Sequence, residues 1–479
     1  MNKEVINSWG MDEFNNLALG DKRLTDRLIR VIDSFTNTPE STINQACGSW
    51  AETKAAYRFF QNENVKESEI LSAHIAKTVE RIKNNDTVLV IQDTSYIKYT
   101  SHKKTTGLGV LTRRGADRKE TKGLVMHTAF VVSLNGLVLG ILDQNINARP
   151  ISSRKLKKSS HNNAAVPIED KESIKWLSSL KTTVNSTIST GSQVVTVCDR
   201  EADIYDFFEC AKMHNTSILV RAAQDREVNK KSRYCTKDKK KLWRLVEDFK
   251  CSGRMTIEVP SRDNKPGRLA HLEVRFGKFM MAPPINSVRH KTQRLPSLPM
   301  YAIQVIEKNK PLDTTPLEWM LLTNIAVNNF EEAVEKIKWY CMRWKIEIFH
   351  KILKSGLRVE ECRLSTGKRL TRYLTVMSII AWRIFFITLI ARSRPDLPCS
   401  ILFTEEEWQV LYVKIHKTAP PNNAIPKIKD AILWVARLGG HLARKNDPEP
   451  GPIVIWKGWQ RLFDLTQGWK LANSSNICG

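Results

Sequence analysis

The chain has 479 residues, too many for one compact core, and this length predicts roughly two to four domains. Hydrophobic residues make up 42% of it, which excludes a chain that is disordered throughout. Lysine and arginine number 75 against 50 aspartate and glutamate residues, so the net charge is +25. Such a charge indicates a nucleic-acid partner, because binding releases the counterions of the phosphates; a basic protein without that partner is the alternative.

Residues 1–65 are predicted to be helical. Residues 19–35 carry apolar side chains at helical spacing, and residues 49–62 form a second candidate helix. Arginines lie on another face of the first helix, at Arg23, Arg27 and Arg30. A small helical unit with arginines on one face suits DNA, and a solvated charged surface explains the same spacing equally well.

The pattern changes to strands after residue 86. Short apolar runs at 88–91, 194–198 and 217–220 are typical of strands buried on both faces, and Asn135-Gly136 predicts a hairpin between 124–133 and 137–142. Residues 172–180 and 202–213 are candidate helices. This order of elements predicts an α/β fold with a ribonuclease-H-like core, a mixed sheet flanked by helices.

The rest of the chain contains a predicted loop, a basic run, β-like segments and helical segments. Residues 150–167 are predicted to be a surface loop, and a basic run follows at 226–241. β-like segments then predict a β-rich insertion over 222–325. The pattern next predicts a long helix over 330–355, and it is helical again from 371 to the end. We therefore expect three domains: a helical domain over 1–65, a ribonuclease-H-like domain over 66–370 that includes the insertion, and a helical domain over 371–479.

Location is indicated by three features. The nine cysteines are scattered and lack CxxC spacing, so we expect reduced thiols in the cytoplasm and no zinc site. Residues 1–14 carry acids and no apolar segment, so we expect no secretory signal peptide. The most apolar stretch, 374–391, has Arg383 in its middle, which predicts a buried helix and not a membrane span.

Two aspartates follow predicted strands. Asp93 lies two residues beyond the run ending at Ile91, and Asp199 directly follows the run 194–198. Two strands of one sheet that end in acids place carboxylates side by side, and Mg²⁺ prefers such hard oxygen ligands. For either residue alone, a turn or helix cap is the commoner role.

A third acid lies on the predicted long helix. The core stripe is expected at Val334, Ile337, Cys341, Trp344, Ile348 and Ile352. Beside it, Tyr340, Arg343, Glu347 and Lys354 are spaced to share one flank of the helix. An acid among a phenol and two cations suits a metal with a phosphate, although an ordinary salt-bridge ladder has the same spacing.

These blocks together resemble a known family. YCMRWKIE at 340–347, followed by Lys354, resembles the Y-(2)-R-(3)-E-(6)-K signature of the IS-four family of insertion-sequence transposases. VCDREADI at 197–204 and IQDTS at 91–95 resemble the blocks around its two catalytic aspartates. AAYRFF at 55–60 and ARLGG at 436–440 resemble flanking blocks of the transposon-five-like members.

The resemblance implies a DNA transposase. Such enzymes bind inverted-repeat ends of double-stranded DNA, pair them in a homodimer, cut through a hairpin intermediate and join the 3′-OH to target DNA. Asp93, Asp199 and Glu347 would hold two Mg²⁺ ions, for which Mn²⁺ can substitute. The C-terminal helices would form the dimer contact.

The resemblance also implies DNA contacts. Tyr340, Arg343 and Lys354 would contact phosphates near the scissile bond, and Trp319 would stack on a flipped base. The remaining matches are arginines: Arg221 near the site and Arg27 in the end-binding domain. A tryptophan in a β-segment is more often core. Ala223 and the stretch 225–241 depart from the family pattern.

Two rivals remain open at this stage. A ribonuclease-H-like nuclease or resolvase would use the same acids without joining DNA. A non-catalytic DNA-binding regulator would need none of them. His350, one turn after Glu347, is expected to be a hydrogen-bonded neighbour and not a ligand, because Mg²⁺ prefers oxygen.

Overall fold

The computed structural model describes residues 9–474, apart from 15, 18, 39, 115–118, 151–165, 229–239, 260–266, 286, 312–313, 421–423 and 446. Most of the predicted surface loop at 150–167 and of the basic run at 226–241 lies outside the described residues. The strands, in chain order, are β1 (Thr87–Lys98), β2 (Gly109–Arg114), β3 (Lys119–Ser133), β4 (Val138–Asn147), β5 (Gln193–Cys198), β6 (Ser217–Arg221), β7 (Glu227–Val228), β8 (Lys240–Lys241), β9 (Gly253–Val259), β10 (Arg268–Met281), β11 (Leu298–Lys308) and β12 (Glu318–Thr323).

Helices precede, interrupt and follow the strands. They are α1 (Trp9–Phe14), α2 (Lys22–Asn37), α3 (Ile43–Ala46), α4 (Trp50–Gln61), α5 (Glu67–Ile82), α6 (Ile174–Thr187), α7 (Tyr205–Met213), α8 (Leu242–Glu247), α9 (Val288–Gln293), α10 (Phe330–Cys341), α11 (Trp344–Lys351), α12 (Gly367–Ser393), α13 (Glu405–His416), α14 (Ile428–Leu438) and α15 (Pro452–Ser474).

The centre of the sheet has the predicted ribonuclease-H-like arrangement. β3 and β4 form the hairpin expected at Asn135-Gly136, β3 pairs antiparallel with β1, and β5 and β6 continue parallel to β1. The strands β1 and β5 are buried on both faces, which explains their continuous apolar runs. The predicted mixed α/β fold flanked by helices is confirmed. The edge strand β2 was not predicted.

The β-rich insertion does not form a sheet of its own. β12 pairs antiparallel with β6, and β11 and β10 follow in turn, so that one sheet of twelve strands runs through the core and the insertion. A parallel core that stopped at β6 would leave an unpaired edge, and β12 covers this edge. Trp319 on β12 is thereby brought next to the carboxyl end of β6, where Arg221 lies.

The predicted long helix over 330–355 is interrupted. α10 ends at Cys341, hydrogen bonds between residues three apart tighten the chain at Arg343 and Ile346, and a π-helical turn covers Ile352–Gly356. The tightening changes which side faces the core. Ile346 and Phe349 are fully buried, whereas Trp344, expected in the core, is 37% exposed. The expected core stripe is therefore wrong at Trp344 and at Cys341, which is also exposed, whereas Ile352 is buried as expected.

The helix α12 lies at the centre of the packing. Among the described helices it is the one long and apolar enough to cross a membrane, and 89% of its apolar window is buried inside the protein. It contacts β4, the N-terminal helices α2, α4 and α5, and the C-terminal helices α14 and α15. The predicted buried helix at 374–391 is confirmed. The predicted domain boundary at 371 falls inside α12.

A buried polar cluster joins α1 to the core. His74 accepts a hydrogen bond from the Ile141 amide at Nε2 (3.0 Å), so its Nδ1 carries the proton and donates to Glu13 Oε1 at 2.6 Å. Arg81 donates to both oxygens of Glu13, at 2.6 and 3.1 Å. The buried Arg383 guanidinium lies over the Trp9 ring at 5.4 Å. The Glu13 carboxylate therefore joins α1 to α5, and the contact of Trp9 with Arg383 joins α1 to α12.

Candidate active site

Asp93 and Asp199 lie side by side where the parallel pairing of β1 and β5 ends. Asp199 directly follows β5, whereas β1 continues beyond Asp93 to Lys98, so the prediction that both strands end in an acid is correct for β5 and wrong for β1. β1 and β5 are in register up to the pair Gln92 and Cys198, so the next residue of each chain segment is one of the two aspartates. Asp199 ends its strand by accepting a hydrogen bond from the Glu201 amide at 2.9 Å. Neighbouring parallel strands thus bring together two acids that are 106 positions apart in the sequence.

The environment of Asp93 opposes its negative charge. Its side chain is only 17% exposed, and it accepts one hydrogen bond, from the Thr94 amide at 2.9 Å. Burial, and next the charge of Asp199, raise the pKa of Asp93 to about 7, while Arg343 lowers it in part. The Asp93 carboxyl is therefore about half protonated near neutral pH, and a nearby cation would stabilise its ionised form.

Glu347 reaches the same region from α11. This helix packs on β1, and the Glu347 charge is close enough to contribute to the raised pKa of Asp93. The Glu347 carboxylate is paired with the Arg343 guanidinium at 2.5 Å, the i,i+4 contact across the tightened turn. Arg343 is 17% exposed and also lies over the Tyr340 ring at 5.9 Å.

The three acids are of the type that binds Mg²⁺, but their side chains are not close enough together to bind one ion jointly. Carboxylate oxygens are the donors that Mg²⁺ prefers, and among the described residues Asp93 forms no ion pair with a lysine or an arginine. Within the described ranges, however, no three His, Cys, Asp or Glu side chains are close enough together to hold a metal ion. Glu347 would have to leave Arg343 before it joined the aspartates.

The aromatic residues Tyr340 and Trp319 adjoin these acids. Their rings meet edge to face, with centroids 5.3 Å apart, and Tyr340 is 5% exposed. Burial raises the pKa of the Tyr340 hydroxyl, and the nearby Arg343 and Arg221 partly oppose this. Arg221 donates to the Glu318 carbonyl oxygen at 3.0 Å. The structure therefore groups Tyr340, Trp319, Arg221 and Arg343.

Two further side chains border Asp93 on the other side. His350 Nδ1 lies 3.8 Å from Asp93 Oδ2, and burial lowers the pKa of His350 to about 3, so the ring is neutral. Burial also lowers the pKa of Lys354, while the charges of Glu360 and Asp93 oppose this. Sequence analysis missed Glu360, which accepts from the Lys98 amide at 2.7 Å. Lys98 and Glu360 are 262 positions apart, so no local sequence pattern could predict their contact.

Arg27 lies apart from this cluster, on α2. Its guanidinium forms an ion pair with Glu52 of α4, and it is only 24% exposed. Arg30, one turn further, lies 3.6 Å from the same carboxylate. The structure therefore gives Arg27 a partner within the protein, and its predicted DNA contact stays a prediction.

Three family models match the chain in succession. The transposase DNA-binding model matches residues 6–65, the transposase DDE domain matches 174–383, and the transposase Tn5 dimerisation domain matches 379–479. The chain belongs to the Tn5-like DDE transposases. As a transposase of this group it binds DNA and dimerises, and the predicted family is confirmed.

The matches divide the candidate residues of this transposase. Asp199 and Glu347 lie within the DDE match, and Asp93 lies N-terminal to it. Arg27 lies within the DNA-binding match. The DDE match also places the β-rich insertion within the catalytic region of the transposase, in agreement with the continuous sheet.

Proposed function

We propose that this transposase is a cut-and-paste enzyme that acts in the cytoplasm on the inverted-repeat ends of its own element. It binds the ends, pairs them in a homodimer, cuts them through a hairpin intermediate and joins the freed 3′-OH to target DNA. The observation that supports catalysis at Asp93, Asp199 and Glu347 is that the register of β1 and β5 makes the two aspartates neighbours and that Glu347 lies on a helix packed against β1. Burial, and next the charge of Asp199, raise the pKa of Asp93 to about 7, and Glu347 adds a smaller contribution.

We propose that these three acids hold two Mg²⁺ ions, with Mn²⁺ able to substitute. When bound, the ions supply Lewis-acid activation of the attacking oxygen and neutralise the leaving oxygen. The protein's own contribution is to shield Asp93 from solvent and to hold it close to Asp199. The ion pair with Arg343 holds the Glu347 side chain near the two aspartates before DNA binds.

Arg343 has a natural alternative partner in DNA. A guanidinium pairs bidentately with phosphate as well as with carboxylate, so a scissile phosphate can take Arg343 from Glu347. The Glu347 carboxylate is then free to turn toward the aspartates. Tyr340 and Lys354 complete the proposed phosphate contacts, and Arg221 extends them along the strand end.

Trp319 is proposed to accept a flipped base during hairpin formation. A tight hairpin strains the base stack, and stacking an extruded base on an indole recovers part of the cost. The Trp319 ring is half-buried and meets Tyr340 by an edge contact. A base can therefore be held beside the phosphate contacts proposed for Tyr340.

The test replaces each acid separately by alanine. We expect Asp93→Ala, Asp199→Ala and Glu347→Ala to abolish cleavage of end DNA while end binding persists, because the acids contribute nothing attractive to a polyanion. The matched control is Glu361→Ala, an exposed acid 59% accessible and paired with Arg358, which should cut normally. Normal cutting by any of the three acid variants would refute its assignment.

A further inference from the structure

The carboxylate of Asp203 is buried and fully hydrogen-bonded. Its side chain is 0% exposed, and Oδ2 accepts from the backbone amides of Ala223 at 2.7 Å and Gln224 at 2.9 Å. Oδ1 accepts from Arg226 Nε at 2.9 Å and Nη2 at 2.6 Å, and the same guanidinium donates to the Asp203 carbonyl oxygen. These bonds form one clamp, the Asp203 clamp, on a single short segment of the chain.

One end of the Asp203 clamp lies on the turn that carries Asp199. A single 3-10 turn, Arg200–Ala202, separates the two aspartates, and the Asp199 carboxylate accepts from the Glu201 amide at 2.9 Å. This turn packs against β6. Because a hydrogen-bonded turn of three residues has little conformational freedom, the position of Asp203 determines that of Asp199.

The other end of the clamp lies just beyond Arg221. Ala223 follows Arg221 by two positions. The amide between them, that of Ala222, donates to the Met320 carbonyl oxygen at 2.7 Å, so the clamped segment is also fixed to β12 beside Trp319. One carboxylate therefore links the turn of a candidate metal ligand to the strands that carry two candidate DNA contacts.

Neither net stability nor metal binding accounts for this arrangement. A buried ion pair is often no more stabilising than apolar residues of the same size, because desolvation opposes the attraction between the charges. Four N–H groups already occupy the two oxygens of Asp203, which leaves it unsuited to be a further metal ligand. What such a carboxylate does supply is a defined geometry, since two backbone amides and a guanidinium converge on it.

We propose that Asp203 is a positioning residue for the cutting reaction, which holds the turn of Asp199 at a fixed distance from Arg221 and so aligns the acid with the phosphate that Arg221 contacts. This inference rests on the proposed function and adds the buried residue that aligns the two parts of the site. A misplacement of about 1 Å costs about 100-fold in rate. Loss of the clamp should therefore slow the chemical step and leave the affinity for the ends unchanged.

The first test compares Asp203→Ala with the wild type in single-turnover cleavage of end DNA at saturating protein and Mg²⁺. We expect cleavage to slow about 100-fold, while the Kd for the ends measured without Mg²⁺ stays the same. The matched control is Glu307→Ala. Glu307 is also a buried carboxylate, with a side chain 1% exposed that accepts from Arg268 and from the Leu317 amide at 2.8 Å, and its loss should not slow cleavage of the folded protein.

A second test separates hydrogen bonding from charge. In Asp203→Asn the new amide nitrogen faces N–H donors whichever way it turns, so cleavage should be slow. Combining it with Arg226→Gln restores an acceptor for that nitrogen, and the asparagine oxygen still accepts from the two backbone amides. The double variant should recover most of the lost rate. A double variant as slow as Asp203→Asn alone would overturn the proposal, because the charge of Asp203 would then be what matters.

Amide hydrogen exchange of the metal-free protein gives a readout that is independent of activity. In Asp203→Ala, or in Asp203→Asn if the alanine variant does not fold, exchange should become faster at Ala223 and Gln224 and also at Glu201, the amide held by Asp199. Faster exchange at Ala223 and Gln224 alone would mean that Asp203 fastens only its own loop, and would overturn the proposal.

Two kinetic results would also overturn it: cleavage by the Asp203 variants at the wild-type rate, or an equal loss in Glu307→Ala. A wild type that does not cut its ends would contradict the proposed function instead, and the exchange at Glu201 would still decide the role of Asp203.

Discussion

At the scale of single residues, Asp93 is the most informative position. It is a nearly buried carboxyl beside Asp199, and the nearby Arg343 guanidinium, which is paired with Glu347, only partly offsets the effect of burial on its pKa. The folded protein therefore holds the Asp93 proton more tightly than the unfolded chain does. Between about pH 4 and pH 7 the folded state binds more protons, so the free energy of unfolding falls as the pH rises through that window.

Because ionisation of Asp93 lowers the free energy of unfolding, we predict that Asp93→Asn stabilises the metal-free protein at pH 8. The variant removes a buried charge whose pKa of about 7 against an ordinary 3.8 sets a ceiling of about 4 kcal/mol on the gain. At pH 5 the carboxyl is protonated in the folded state but still ionised in the unfolded chain, so the gain should fall to about 2 kcal/mol, and it should vanish only below about pH 4. Thermal unfolding at both pH values, with a chelator present, measures the difference.

The control for this prediction is Asp170→Asn, an exposed aspartate that should change the melting temperature at neither pH. An equal rise at pH 5 and pH 8 would mean that the carboxyl is not the cause. No rise in the melting temperature at pH 8 would mean that the surroundings of Asp93 do not destabilise its ionised form.

At the scale of secondary-structure elements, the cluster around Glu13 is the clearest determinant of assembly. Burial alone would raise the pKa of Glu13, but its contacts with His74 and Arg81 lower it below the ordinary value. This contribution to stability is therefore present above the ordinary glutamate pKa and is lost as the pH falls through the folded value. Burial lowers the pKa of Arg383 to about 10, which keeps that guanidinium charged at neutral pH.

We predict that Glu13→Gln destabilises the contact between α1 and the core. The change removes the carboxylate that His74 and Arg81 share, and breaking a buried pair costs up to about 3–5 kcal/mol. Amide hydrogen exchange should show the amides of α1 and α5 exchanging faster. Asp26→Asn, an exposed acid of α2, is the matched control. Unchanged exchange in α1 would contradict the role assigned to Glu13.

The elements also show how far sequence patterns reach. The strands β1, β5 and β6 could be predicted because strands buried on both faces need continuous apolar runs. The interruption at Arg343 could not be predicted, because neither glycine nor proline marks it. The pairing of β12 with β6 joins residues about a hundred positions apart, and such pairing leaves no local pattern.

The candidate site divides in the same way. Sequence order and resemblance predicted that Asp93 and Asp199 would lie together, and their positions follow directly from two parallel strands in register. The approach of Glu347 to both aspartates stays a prediction. The pairing of Glu347 with Arg343 and that of Arg27 with Glu52 depend on side-chain orientation, which spacing does not determine.

At the scale of the whole molecule, the net charge of +25 determines how binding responds to salt. A protein that makes about 6–10 phosphate contacts loses about 10³–10⁵ in affinity between 50 and 200 mM salt. We predict a loss in this range for both end and unrelated DNA, with the ratio of the two affinities preserved. Binding titrations at several salt concentrations measure it. A loss below about tenfold would mean that the basic charge is not used on phosphates.

The central claim is that Asp93, Asp199 and Glu347 cut and join DNA, and one measurement tests it most directly. Purified protein is incubated with Mg²⁺ and precut end DNA in the presence of a target plasmid, and the products are mapped to the nucleotide. The account predicts end-joined target DNA with the wild type and none with Glu347→Gln, although both bind the ends. Precut ends left unjoined by the wild type, or joining by Glu347→Gln, would contradict it.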